Sequence, residues 1–315
     1  MQLSDRVGRR IKLQDLRILM AVVQAGSMRK AAEHLNTTQP SISRSITELE
    51  GVIGVRLLDR NRQGVKPTEY GRALLDGGAA MFDELRQAVN NIEFLADPAA
   101  GDVRIGCPSF LAASFVSAVI DRVSQHYPRI AFHLVTTPQE TLNRELRERN
   151  VDLLITPRLN LYTDDQFGFE VLYDNSYVVV AGAQNPWASR RRIELAELVN
   201  ELWVLPPPEG SVLGAVAKEA FRTSGIDYPR ATVSTVVPEA RISLLSSGRF
   251  LTILTISVLR FSTERSKVKV LPVKLPMARV PIGIVTLKNR TLSPVAKLFI
   301  EHAREVAKPL AKRKS

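Results

Sequence analysis

The chain has 315 residues, longer than one ordinary domain, so two or three are expected. Its hydrophobic fraction of 45% can supply a sizeable core, while the absence of any run of about 18 apolar residues argues against a transmembrane helix. Cys107 is the single cysteine, which excludes intrachain disulfides and cysteine-cluster zinc sites, and the net charge of +11 favours a polyanionic partner, although membranes and ribosomes also attract basic chains.

The opening stretch to Arg10 has charge but no apolar segment behind it, so a secretory signal is not expected and the chain is expected to remain in the cytosol. His34, His126, His133 and His302 are not spaced as a metal pair on a helix face, so neither a metal nor a cofactor is expected. The positive charge is concentrated early: residues 1–66 hold twelve Lys and Arg against six Asp and Glu. The tail from Lys308 to Ser315 adds four cations and reads as a frayed, solvated end.

A first helix is predicted from Leu13, Leu16, Leu19, Met20 and Val23, ending at Gly26. Ser27 is the expected N-cap of a short second helix from Met28 to about Leu35, whose small face, Ala31 and Ala32, permits close helix approach. Asn36-Thr37 makes the turn, Thr38 caps a third helix, and Pro40 lies in its first turn, where a missing N–H costs nothing. In that helix Ile42, Ile46 and Leu49 share one face and must point inward. Gln39, Ser41, Ser43, Arg44 and Thr47 are left pointing outward, a set of short polar groups and an arginine suited to base edges and phosphates in a major groove. A plain solvated helix is the alternative. Glu48 and Glu50 come later, where the helix would leave the nucleic acid. Two short extended runs, Val55 to Arg60 and Val65 to Pro67, flank Asn61-Arg62-Gln63-Gly64 and read as a hairpin. Its Arg60, Arg62 and Lys66 can hold phosphate or enter a minor groove.

From Leu16 to Leu75 the chain resembles the LysR-type transcriptional regulators. The resemblance is carried by Leu16-Arg17, Gly26-Ser27, Lys30-Ala31-Ala32, Leu35, Thr38-Gln39-Pro40-Ser41-Ile42-Ser43-Arg44, Ile46, Leu49-Glu50, Gly54-Val55-Arg56-Leu57-Leu58, Arg60 and Pro67-Thr68-Glu69-Tyr70-Gly71. It implies a winged helix-turn-helix, a linker helix and a two-lobed, periplasmic-binding-protein-like α/β effector domain. Double-stranded DNA, a small organic effector and RNA polymerase are the implied partners, in a bacterial cytoplasm. Thr38 stands where the family carries Ser, a change that keeps the cap.

Thr68 can cap a helix that runs to about Ala96, before Asp97-Pro98 stops it. Leu74, Gly78, Met81, Leu85, Ala88, Ile92 and Leu95 alternate in steps of four and three, the pattern of a heptad seam. Two helices packed along their length, as a homodimer, fit this spacing; a single helix lying on its own domain is the alternative. The resemblance implies that these linkers pair antiparallel and that effector domains pair further into a homotetramer.

Beyond Ala99-Ala100-Gly101, expected to be a hinge, strands and helices alternate, which predicts α/β layers around a mostly parallel sheet. Ligands in such sheets bind beyond the carboxyl ends of strands. Four turns stand out there: Pro108-Ser109-Phe110, Thr136-Thr137-Pro138-Gln139, Gly210-Ser211-Val212 and Val237-Pro238-Glu239. Three offer hydroxyls, and helix starts present free amides; simple capping is the alternative for each. The resemblance continues with Gly106, Tyr127-Pro128, Asp152-Leu153 and Gly248, although Arg249-Phe250 replaces the family's glycine-rich stretch. It implies lobe I over about 102–172 and 272–310 and lobe II over about 173–271, with crossings near Leu172 and Leu271 and the effector between the lobes. The expected divisions are therefore 1–67, 68–98 and 99–315. Runs around Gly71-Arg72-Ala73, Phe82-Asp83-Glu84 and Ile92-Glu93-Phe94 are similar to regulators of the galactose-binding-protein regulator type.

An enzyme is disfavoured because the chain has no Gly-rich phosphate loop and no Gly-x-Ser-x-Gly elbow. A secreted solute-binding protein fits the second half but not the basic N-terminal unit.

Overall fold

A computed structural model describes residues 10–61, 64–158, 165–209, 211–261, 266–277 and 279–311. The chain forms two compact units that meet inside one long helix, between Ala88 and Val89. Among the described residues no helix is long and apolar enough to cross a membrane.

The first unit contains α1 (Leu13–Ala25), α2 (Met28–His34), α3 (Gln39–Ile53), β1 (Leu58–Asn61), β2 (Gly64–Pro67) and the start of α4 (Glu69–Ala96). Leu16, Ile18, Leu19 and Val22 form the buried stripe of α1. The expected stripe differs, since Leu13 is exposed and Met20 and Val23 are only partly covered. Ala31 and Ala32 are withdrawn from water and bring α2 against the α1 stripe and Ile42, Ile46 and Leu49 of α3. Gly26 ends α1 with φ 63°, a left-handed conformation that costs glycine nothing. Ser27 occupies the cap position of α2 but makes no side-chain cap bond. Asn36, with φ 50°, turns the chain into α3.

The second unit begins with the end of α4 and β3 (Ala100–Gly106). A helical turn, Ser109–Leu111, and a π turn, Ala112–Val116, then lead into α5 (Ser117–His126). There follow β4 (Arg129–Val135), α6 (Gln139–Arg147), β5 (Leu153–Pro157), β6 (Phe167–Asn175), β7 (Tyr177–Gly182) and β8 (Leu202–Leu205). The chain continues through α7 (Val212–Thr223), β9 (Ala231–Ser234), α8 (Pro238–Leu245), β10 (Phe250–Thr255) and α9 (Ile256–Phe261). It closes with β11 (Val268–Val270), β12 (Val280–Leu287) and α10 (Pro294–Ala311).

Two five-stranded sheets result, in the orders β4-β3-β5-β12-β6 and β11-β7-β10-β8-β9. They are mixed rather than mostly parallel. β3 runs parallel to β4 and β5, but β12 is antiparallel to β5 and β6. β10 and β9 run parallel to β8, but β7 is antiparallel to β10 and β11. Parallel neighbours need a long crossover, and Ser176 alone separates β6 from β7. The chain thus leaves the first sheet at Ser176, beyond the expected Leu172, because the nine-residue β6 extends that lobe. It returns between Val270 and Val280, and Leu271 still belongs to the second lobe's core. The expected hinge at Ala99-Ala100-Gly101 is in part strand: Ala100 and Gly101 pair with Arg129 and Ile130. Gly101 has φ 137°, and a Cβ there would lie 2.7 Å from Val295 Cγ2, so a side chain is excluded twice over. Arg249-Phe250, where the family carries glycines, is accommodated: Phe250 is buried and opens β10, with the Arg249 guanidinium 5.4 Å from its ring centre.

Each lobe has its own apolar centre, around Ile105, Phe115 and Phe299 in the first and Val179, Trp203 and Phe221 in the second. A buried ion pair fastens the first lobe. Arg290 Nη2 lies 2.7 Å from Asp152 Oδ1, and the other carboxylate oxygen accepts the Arg104 N–H at 2.8 Å. Removing one partner leaves the other charge buried and unpaired. Arg290→Leu is therefore expected to lower stability by about 3–5 kcal/mol in urea titration, and an unchanged midpoint would show that the pair does not hold the lobe.

Candidate nucleic-acid interface and interlobe cavity

The orientation of α3 follows from its three apolar residues. Ile42 and Ile46 are fully buried and Leu49 nearly so. Thr38, Gln39, Pro40, Ser41, Arg44 and Thr47 are exposed on the remaining surface, and Ser43 is half-exposed. The Thr38 hydroxyl accepts the Ser41 N–H at 3.4 Å, and the two hydroxyls lie 3.0 Å apart. Thr47 donates its hydroxyl to the Ser43 carbonyl at 2.9 Å. Gln39, Arg44 and the Ser43 hydroxyl therefore remain the groups best placed for an external partner.

The hairpin is fixed beside this helix by contacts that the periodicity did not disclose. Glu50, assigned from sequence only as an acid beyond the nucleic acid, is half-buried. Its Oε1 accepts the N–H of Leu57 at 2.8 Å and of Leu58 at 3.2 Å. Its other oxygen lies 3.9 Å from Arg60 Nη2. The Val65 N–H donates to the Gly26 carbonyl at 3.0 Å, so β2 is tied to the α1–α2 turn. Arg60 and Lys66 are exposed on the two strands; Arg62 lies outside the described residues. Thr68 accepts the Gly71 N–H at 3.0 Å and donates to the Arg56 carbonyl at 2.8 Å, capping α4 and joining it to the hairpin.

The anticipated seam on α4 divides. Leu74 packs into the first unit's core, and Gly78 lies against Leu16. Beyond them Met81, Leu85, Val89, Ile92 and Leu95 are 53%, 51%, 45%, 66% and 82% exposed. Ala88, named by the heptad, is exposed as well, and Val89 joins that line beside it.

In the second unit a cavity of about 530 Å³ opens between the lobes. Phe110 and Ala113 line it from the first lobe, Pro238, Ile242 and Ser243 from α8, and Phe261 from α9. Two of the four anticipated turns thus meet, through Phe110 and Pro238. Among the described side chains, the other candidates do not line this cavity. Ser109 is exposed beside it, and Val237 is 46% exposed. Gln139 is engaged, donating its amide to Asn143 at 3.0 Å and accepting the Thr156 hydroxyl at 2.5 Å. Ser211 caps α7 by accepting the Gly214 N–H at 3.1 Å; the side chain of Val212 lies outside what the structure describes. Pro138 sits at the exposed start of α6, while the neighbouring Thr137 hydroxyl is buried without a partner among the described residues.

Two further features escaped the sequence reading. Asn175, the last residue of β6, donates to the Ser257 hydroxyl at 2.9 Å, which clasps the two lobes where the chain crosses. Arg241, in the first turn of α8, is buried. A charged residue in a short helix gives no periodic sign of facing inward. Cys107 is also buried, and desolvation pushes its thiol up to about 12, so it is an apolar filler rather than a nucleophile.

Comparison with known proteins follows this anatomy. Residues 13–72 match the bacterial regulatory helix-turn-helix protein, lysR family, and residues 96–308 match the LysR substrate binding domain. The chain is 30% identical over 291 residues to the transcriptional dual regulator GltC of Bacillus subtilis, covering 92% of this chain and 96% of that protein. It is 25% identical to the HTH-type transcriptional regulator GbpR of Azospirillum brasilense, covering 94% and 86%. Full-length CbnR in complex with its target DNA shares the fold with a TM-score of 0.62 at 19% identity, covering 94% of this chain and all of that one.

Removing the Glu50 carboxylate strands two backbone donors at the base of the hairpin. Glu50→Ala is expected to cost about 1–3 kcal/mol in thermal or urea unfolding of the N-terminal unit, and Glu50→Gln, whose amide oxygen still accepts, distinctly less. Equal stability of Glu50→Ala and the wild type would remove Glu50 from this role.

Proposed function

The chain belongs to the LysR family of bacterial helix-turn-helix regulators, and from that premise we propose how its parts divide the work of a DNA-binding transcriptional regulator. Residues 1–67 read DNA, 68–98 pair two copies, and 99–315 receive the effector.

Gln39, Ser43 and Arg44 reach base edges or the phosphates beside them, with Thr38, Pro40, Ser41 and Thr47 bordering the contact. Arg60 and Arg62 hold the backbone. The observation that carries this assignment is the burial of Ile42, Ile46 and Leu49, which leaves the polar face of α3 outermost with a basic hairpin at its side. Base contacts specify, whereas phosphate contacts position. Arg44→Ala is expected to lose about 1–3 kcal/mol and relax preference at one position. Arg60→Ala should weaken all sequences alike and flatten the salt dependence. Anisotropy titrations at several salt concentrations separate the two, and full specific affinity in Arg44→Ala would sink the assignment.

A second copy of the chain covers the exposed line on α4. Five large apolar side chains in water along one helix face are what a paired helix would bury. Pairing places two α3 helices on one duplex, as two half-sites require, and the assembled oligomer acts on transcription by RNA polymerase. Met81→Lys and Ile92→Glu are each expected to yield monomers in mass photometry at micromolar protein. A wild-type chain that is itself monomeric there would contradict the pairing.

The effector is a small organic molecule that occupies the cavity between the lobes. Phe110, Ile242 and Phe261 offer it apolar walls, and Ser243 a hydroxyl. It retunes DNA binding by as much as it favours one arrangement of the oligomer over another.

A further inference from the structure

His126 closes α5 and His302 lies on α10, two helices of the first lobe that pack together although they are far apart in sequence. Their ring centres stand 6.3 Å apart, with the planes at 68°. Tyr127 completes the group, its ring centre 6.5 Å from that of His126 and 6.3 Å from that of His302. His126 is exposed and His302 half-buried, so the group is open to solvent. Spacing along one helix could not disclose this pair, because its two members come from different helices.

Each ring is held in the same way. His126 Nδ1 donates to the Arg122 carbonyl at 3.2 Å, and His302 Nδ1 to the Leu298 carbonyl at 3.2 Å. A carbonyl oxygen only accepts, so Nδ1 carries the proton in both neutral rings and Nε2 keeps its lone pair. Neither Nε2 has a hydrogen-bond partner among the described residues. An imidazole whose other N–H is tied to a backbone carbonyl is the common form of a metal-bound histidine. The spacing fits as well: with zinc–nitrogen bonds of about 2.0–2.1 Å, two rings on one ion have centres roughly 5–6.5 Å apart. Among the described residues no third histidine, cysteine or carboxylate joins them in a metal-holding cluster, so water must complete the shell. Glu305, one turn past His302 on the same face of α10, supplies a nearby negative charge. The Lys308 ammonium holds its carboxyl below the usual range, with Arg122 and His302 adding to that from farther off. Lys308 and Arg122 are the opposing cations, and they weaken the attraction for a metal ion without occupying either Nε2.

We propose that His126 and His302 form a two-histidine site for a divalent transition metal, zinc, nickel or copper, bound through both Nε2 atoms and completed by water. Imidazole selects such ions over magnesium and calcium, which take oxygen ligands. The ion bridges α5 and α10, and because it binds only the folded arrangement it stabilises the first lobe. The site lies on the outer helices of that lobe and is independent of the cavity between the lobes. Aromatic packing of the two imidazoles with Tyr127 is the competing role.

The test is calorimetry and thermal shift on the untagged, chelator-treated full chain with zinc, nickel and magnesium chlorides, together with electron paramagnetic resonance of the copper(II) form. The wild type is expected to bind zinc or nickel and gain Tm, and magnesium to do neither. The copper spectrum should show coupling to two imidazole nitrogens. His126→Gln and His302→Gln should each weaken binding by roughly tenfold or more, since loss of even an outer partner of a metal ligand costs about 10–100-fold. His133→Gln, which removes an exposed histidine of β4, should bind as the wild type does. Wild-type affinity in either His126→Gln or His302→Gln overturns the proposal, as does a copper spectrum with a single imidazole nitrogen. If the rings serve only to pack against Tyr127, both variants lower the metal-free Tm and zinc raises the Tm of none of the proteins, and that result also rejects the site.

Discussion

Water is excluded from one face of α3, and the rest of the N-terminal unit is arranged around that fact. Ile42, Ile46 and Leu49 each gain roughly 1.5–3 kcal/mol by leaving solvent, so the helix cannot turn about its axis without losing most of that gain. With the rotation settled, Gln39, Ser43 and Arg44 have one direction in which to point. The hairpin is then positioned from the same helix, because Glu50 sits one residue past Leu49 and receives the amides of Leu57 and Leu58. Thr68 carries the chain of dependence onward, holding the start of α4 to the Arg56 carbonyl. Helix α3, the basic hairpin and the start of α4 thus share one core and a few charge-assisted or capping bonds.

The two lobes show a different economy. Each sheet has its own core, and the lobes are joined by two strand crossings and by polar contacts such as Asn175 with Ser257. Apolar cores of this packing density resist internal rearrangement. Relative movement of the lobes is easier to reconcile with such a structure than deformation within either one. An effector seated between them would act on this soft degree of freedom.

Much of the N-terminal unit was legible because helix periodicity, caps and turns agreed: the Thr38 cap, Pro40, the Ile42, Ile46 and Leu49 stripe, and a linker from Thr68 to Ala96 all lie where the pattern places them. Leu74 and Gly78 show the limit of a heptad, since they satisfy the spacing yet serve their own chain. Glu50 was hidden because its partners are backbone amides, which have no identity in a sequence. In the second unit, the mixed ladders were missed because strand direction depends on distant connections. The cavity drew together only Phe110 and Pro238. The hydroxyls of Ser211 and the amide of Gln139 went to local partners, and short polar side chains next to helix starts commonly do so.

Pairing of two chains through α4 would present two copies of α3 to one duplex. Selection of bound duplexes from a randomised pool, with the full-length chain at physiological salt, tests it most directly. A paired protein is expected to enrich an inverted repeat whose half-site centres lie about one helical turn, 10–10.5 base pairs, or a multiple of it apart. Enrichment of a single unrepeated site, or of no sequence at all, would contradict it.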